Sequence, residues 1–182
     1  MEALRLSAGR GLALLALLTV AGASVLATSS AWAAPSEGEV KAAYLYNFAR
    51  YVTWPDSSFG SPGDPIRICV IGDESFRGVL ASTVSEKRVG ERPVSAESRA
   101  STGASDDCHI LYLGSAGVGA VSGLSRTSIF TVSDSEGFAA AGGIANFVLV
   151  GSKVRFEINT GAVEKAGLQV SSRLLRLAQI VE

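Results

Sequence analysis

Three kinds of side chain in this sequence have the type and placement for chemistry: carboxylates in turns that follow apolar runs, two cysteines, and one histidine. Asp73 stands in Gly72-Asp73-Glu74, directly after the run Ile66–Ile71 (IRICVI), and Asp134 and Glu136 follow the run Ser128–Val132 (SIFTV). The C-terminal ends of strands are where α/β folds place functional groups, so Asp73, Asp134 and Glu136 form a candidate ligand rim. No G-x-G-x-x-G and no Walker lysine accompanies them, which removes the usual nucleotide-binding loops. Asp73 also has an ordinary role open to it, as N-cap of a helix beginning at Glu74. His109 is the only histidine, and zinc sites normally recruit several His and Cys ligands. In a strand it points to the face opposite Cys108, so the two make no nucleophile–base pair. It reads as a strand residue with a hydrogen-bond partner. No residue is assigned a catalytic role, and no metal or cofactor is expected.

The N-terminus bears on the cysteines. Arg5 and Arg10 precede an apolar stretch from Gly11 to Leu26, and Ala31-Trp32-Ala33 offers the small residues of a signal-peptidase site. That is the tripartite pattern of a secretory signal peptide over residues 1–33, with cleavage expected after Ala33. The competing reading is an uncleaved anchor, for which about 16 apolar residues is near the lower limit. Without Glu2, Arg5 and Arg10, the 16 Lys+Arg against 17 Asp+Glu of the full chain become 14 against 16. A slightly acidic balance supplies no basic stripe for nucleic acid. Residues 34–182 have the size of one domain. An exported protein whose only cysteines are Cys69 and Cys108 most simply joins them in one structural disulfide. A redox-responsive bridge and free thiols are the alternatives; the wide spacing is unlike the Cys-X-X-Cys of a catalytic dithiol.

The elements around these residues follow from periodicity. From Val40, the positions Val40, Ala43, Tyr44, Asn47, Phe48 and Tyr51 recur at three- and four-residue steps, predicting an amphipathic helix that ends before Trp54-Pro55. Residues 56–64 are a loop, Ile66–Ile71 a strand, and residues 74–82 a helix. Residues 87–94 read as a short exposed strand weakened by Pro93, and residues 96–107 as a polar loop. Cys108–Leu113 and Ser128–Val132 are further strands, with a glycine-rich helix between them and a short helical piece at 138–142. Asn146–Val150 and Lys153–Ile158 alternate about Gly151-Ser152, which predicts a hairpin. Residues 160–166 and 171–178 are helical, with Asn159 or Thr160 as N-cap and Gly167 as the C-terminal glycine. Strands alternating with helices predict a single-domain α/β three-layer sandwich: a mostly parallel sheet flanked by helices, with an edge β-hairpin near the C-terminus.

Two clusters could face a partner. The first helix is crowded with rings, and those left over from its core face, Tyr46 and Trp54, would mark an interface. Arg173 and Arg176 share a helix face and either lie solvated over an apolar ridge or meet an acidic partner.

Taken in order, Val40–Pro55 (VKAAYLYNFARYVTWP), Ile68–Gly72, Cys108–Leu113, Gly142–Phe147 leading into Val154–Asn159, and Ala166–Ala178 resemble the landmarks of the YfiR-like family across nearly all of residues 34–182. The resemblance implies a periplasmic α/β domain without enzymatic activity. It implies binding to the periplasmic domain of an inner-membrane diguanylate cyclase, so that cyclic di-GMP falls and biofilm is disfavoured. Related domains fused to sensor kinases imply a kinase as the other possible partner, and the frequent dimers of the family imply a homodimer. In the family the positions matching Cys69 and Cys108 form a disulfide. A second cysteine pair known in its named member has no counterpart here, since no cysteine follows Cys108. The rival reading is a periplasmic sensor that takes a small ligand at its strand-end rim and acts on another membrane partner.

Overall fold

Fifteen elements follow one another in the computed structural model, which describes residues 34–120 and 128–182. In chain order they are α1 (Glu37–Tyr51), β1 (Val52–Thr53), β2 (Ile66–Ile71), α2 (Glu74–Val84), β3 (Arg88–Val89), β4 (Arg92–Arg99), β5 (Ile110–Tyr112), α3 (Gly117–Ala120), β6 (Phe130–Ser133), β7 (Ala145–Val150), β8 (Lys153–Asn159), α4 (Thr160–Lys165), β9 (Gln169–Val170), α5 (Ser172–Leu175) and β10 (Gln179–Val181). The expected signal peptide and its cleavage site lie outside the described residues, as does the end of the glycine-rich segment.

Eight strands form one sheet in the order β10-β8-β7-β6-β5-β2-β4-β3. All neighbours are parallel except the β7–β8 and β3–β4 pairs. A separate antiparallel pair joins β1 to β9. The mixed, mostly parallel α/β sheet of a single domain is the expected class. The C-terminal hairpin is β7–β8, but it sits one strand in from the edge, because residues 179–181 add β10 alongside β8. A helix was expected over residues 171–178; α5 is a single turn, and the chain after it returns to the sheet.

Alternation divides the strands between two unequal faces. Ile66, Ile68 and Val70 of β2, Ile110 and Tyr112 of β5, Phe130 and Val132 of β6, and Phe156 and Ile158 of β8 all turn to one side, against α1 and α2. There Phe48 packs against Phe130, Phe147 and Phe156 at ring distances of 5.3, 5.9 and 5.2 Å. On the other side the apolar group is small: Cys69, Cys108, Leu111, Leu113, Ile129 and Phe138. Toward β4 that second face becomes charged, since Arg67, Cys69 and Ile71 stand in register with Ser95, Glu97 and Arg99.

This explains the strand that sequence reading turned into a loop. Residues 97–99 are polar, yet they belong to β4, in parallel register with β2. Arg99 donates to Glu97 at 2.8 Å and to Asp107 at 3.0 Å, and Arg67 lies 3.6 Å from Glu97. Paired ions replace apolar contact there, so hydrophobic periodicity is absent. Residues 138–142 are likewise a succession of turns rather than a helix: the Phe138 amide donates both to Ser135 O and to Asn146 Oδ1, and Gly142 leaves helical backbone at φ +103°. In α1 the fully covered positions are Ala42, Leu45, Phe48 and Ala49, so the core stripe is rotated from the expected one and Ala43 is exposed.

Candidate binding cleft and partner surface

The first turn of α1 is set by local sequence. Ser36 Oγ accepts from the Glu39 amide at 3.3 Å, and Glu39 Oε2 accepts from the Ser36 amide at 2.7 Å, a reciprocal capping box. One turn further on, Lys41 pairs with Glu37, the i,i+4 arrangement that a helix brings into contact. Opposite them β6 ends at Ser133, and the turn beyond it is tied down. Ser133 Oγ donates to Gly114 O at 2.6 Å, the Asp134 amide donates to Gly114 O at 3.1 Å, and Ser135 Oγ donates to Ser115 O at 2.7 Å. Gly117 is needed for that approach, since a Cβ there would meet Ser133 Oγ at 2.1 Å.

Asp134 is thereby held between α1 and β5. Its Oδ2 accepts from Lys41 Nζ at 2.6 Å and from Tyr112 Oη at 2.7 Å. Its Oδ1 is buried and has no hydrogen-bond partner among the described residues. Burial by itself would lower the Lys41 pKa, but hydrogen bonds to Asp134 and Glu37 prevail and hold it above the ordinary lysine value. Burial, then the Asp134 hydrogen bond, push the Tyr112 hydroxyl well above the ordinary tyrosine value. The cluster is therefore a charged lysine between two carboxylates, backed by a neutral tyrosine. It opens on a cavity of about 480 Å³ lined by Glu37, Lys41, Asp134, Glu136, Asn146 and the hairpin residues Phe147, Val148, Leu149 and Val154. A second hollow of about 420 Å³ continues along α1 past Val40 and Tyr44 and shares Glu37, Leu149 and Val154 with the first. Together they make one cleft between the start of α1 and the β7–β8 hairpin.

Of the expected rim, Asp134 and Glu136 line this cleft and Asp73 does not. Asp73 Oδ1 accepts from the Phe76 amide at 2.8 Å, so its structural role is that of N-cap to α2. Sequence reading missed Lys41, Glu37 and Tyr112. The first two were signalled by the Ser-x-x-Glu cap and the Glu–Lys spacing; nothing local signalled Tyr112, whose role depends on β5 lying beside β6.

Cys69 of β2 and Cys108, which lies just before β5, form a disulfide, with Cα atoms 5.9 Å apart. His109 lies just before β5, 1 % exposed, and its Nδ1 accepts from the Arg67 amide at 3.1 Å. Phe59 stacks on its ring at 4.5 Å, and the Arg92 guanidinium lies 3.6 Å over Phe59. Burial lowers the His109 pKa to about 4, against an opposing pull from the Ser58 carbonyl. Among the described residues no group of three His, Cys, Asp or Glu side chains could hold a metal ion.

The expected partner residues divide. Trp54 is in the core, 7 % exposed, with Nε1 donating to His109 O at 3.1 Å. Tyr46 is half-buried, its hydroxyl donating to Arg88 O at 3.2 Å with Arg50 over its ring. Arg173 and Arg176 are both exposed, next to Leu177, which is 66 % exposed.

Among solved structures, the chain is similar to a conserved domain protein from Vibrio cholerae O1 biovar El Tor, with a TM-score of 0.55 and 13 % identity. The alignment covers 81 % of this chain and 60 % of that one, and at this identity the likeness is one of fold. No curated protein matches the sequence. A family model described as YfiR/HmsC-like matches residues 38–179, from the first turn of α1 to the first residue of β10. The chain accordingly belongs to the YfiR/HmsC-like family, a family of periplasmic regulators.

Proposed function

We propose that this protein is exported to the periplasm, cleaved after Ala33, and acts there as a non-enzymatic regulator. In this reading it binds the periplasmic domain of an inner-membrane diguanylate cyclase and restrains it, so that cyclic di-GMP falls. The observation that carries the reading is the family match over residues 38–179. The disulfide supports an oxidising compartment, and among the described residues no helix is long and apolar enough to cross a membrane. The exposed Arg173 and Arg176, with the half-buried Tyr46, are the proposed partner contacts, and a homodimer is the proposed assembly. Restraint requires that the partner's active and inactive forms differ in affinity for this protein.

The test is intracellular cyclic di-GMP in cells with and without the gene. Deletion should raise it, and the full gene should restore it, whereas a version lacking residues 1–33 should not. An unchanged level across growth conditions would end the cyclase reading.

The cleft beside Asp134 favours a second reading: the domain receives a small ligand there and passes the signal to a membrane partner such as a sensor kinase. A ligand-dependent rise in melting temperature supports this reading by linkage.

A further inference from the structure

Resting on that second reading, we propose that the cleft takes a small organic cation, a protonated amine on an apolar body. The ammonium would sit against Asp134 and Glu136, and the body against Leu149 and Val154. The charge on the lining points this way. In the hollow beside Asp134, Glu37, Asp134 and Glu136 face one cation, Lys41, already bonded to two of the three carboxylates; Lys153 and Arg155 line only the second hollow. An anion entering the first hollow would meet three like charges and no unengaged cation. An incoming ammonium would meet Glu136, which is exposed and has no ion pair among the described residues.

The body of the ligand is indicated by the opposite wall. Leu149 is a large apolar side chain left 57 % exposed on the hairpin, above the buried Phe147 and Val154. Isolated exposed leucines are common; this one lines both hollows of the cleft. A volume of about 480 Å³ is within the range of sites that enclose one small molecule. The first turn of α1 contributes little attraction for anions, because the capping box occupies the amides of Ser36 and Glu39.

Three probes with the same ring separate charge from shape: phenethylamine, phenylacetate and 2-phenylethanol, added at fixed ionic strength to protein purified from cells expressing the full gene. Phenethylamine should give a saturable rise in melting temperature of about 3 °C, and the other two no rise. In Glu136→Gln, an exposed change that leaves the unliganded melting temperature in place, the phenethylamine rise should fall by at least half; Leu149→Ser should reduce it as well. Equal rises with all three probes would overturn the amine while leaving a ligand-binding cleft. No rise with any of them would overturn both. A full rise retained in both variants would place the amine elsewhere and sink the proposal.

Discussion

Beside the two ends of β5 lie the two buried polar atoms that, among the described residues, lack a hydrogen bond, His109 Nε2 and Asp134 Oδ1, and their surroundings are built in opposite ways. At the entering end His109 is neutral, stacked on Phe59 and edged by Trp54 at 5.8 Å. At the leaving end Tyr112 donates to Asp134, which pairs with Lys41, itself paired with Glu37. The first constellation removes the need for charge by lowering a pKa. The second keeps its charges and balances them, lysine against carboxylate. A neutral ring can be sealed in at modest cost, whereas a charged cluster gains from partial access to water. The second opens directly on a cleft, at the strand end where α/β folds bind ligands. Burial of a polar side chain is thus a poor guide to function; retained charge beside an opening is a better one.

The comparison can be broken most forcefully at the disulfide, which ties Cys108, the neighbour of His109, to β2. Chain entropy gives a bridge over a separation of 39 residues about 4 kcal/mol of stabilisation. The variant Cys69→Ser/Cys108→Ser should lose up to that amount in urea unfolding. The damage should fall on the entering end, with the His109 pKa moving up toward the ordinary histidine value by NMR while the Lys41–Asp134 pair persists. A loss below about 1 kcal/mol would mean that the apolar face against α1 holds the domain without the staple.

His109 sets the next largest effect. Above the unfolded value of 6.5 both states are neutral at this residue. As pH falls from there toward about 4, the unfolded chain takes up a proton that the folded chain refuses. Stability then declines with falling pH, by about 3 kcal/mol in all at 1.36 kcal/mol per pKa unit. Carboxylates held low, Asp107 among them, add acid lability of their own, so the readout is the difference in pH slope from His109→Asn. Parallel slopes would show that the histidine is not kept neutral by its surroundings.

What was legible in the sequence follows the same division. Strands with apolar alternation, the β7–β8 hairpin, the Asn159 cap to Ala162 at 2.8 Å and the Gly167 turn at φ +68° were all readable, because their causes are local. The polar strand β4 was not, because its side chains are satisfied by ions from β2 and the segment before β5. Trp54 was misjudged as exposed because its hydrogen-bond partner, the His109 carbonyl, lies 55 residues away. In the cleft, Asp134 and Glu136 could be suspected from their place after a strand. Lys41 and Tyr112 could not be joined to them until the order β2-β5-β6 was known.

At the leaving end, Asp134→Ala removes one of the two carboxylates that hold Lys41, whose side chain is only 11 % exposed, and leaves the Tyr112 hydroxyl without its acceptor. A loss of about 2 kcal/mol is expected, less than for a fully stranded charge because Glu37 remains. Asp134→Asn, which can still accept from both donors, should lose about half as much. If both variants were as stable as the parent, the cluster would be a solvated surface pair and its contrast with His109 would disappear.

Asp73 is the smallest case and the sharpest control, because it was placed on the rim by the same reasoning as Asp134: an acidic turn after a strand. Its carboxylate is occupied by the Phe76 amide, so Asp73→Ala should cost about 1 kcal/mol, the ordinary loss of an N-cap. Asp73→Ser, which can still accept from that amide, should restore most of it. Neither variant should alter ligand response in the cleft. If Asp73→Ser were stable but changed that response, the rim would extend across the end of β2, and the strand-end argument would apply to both acidic turns. If it behaved as a plain cap, then two turns alike in sequence differ because one faces α1 and a buried lysine while the other opens a helix of its own.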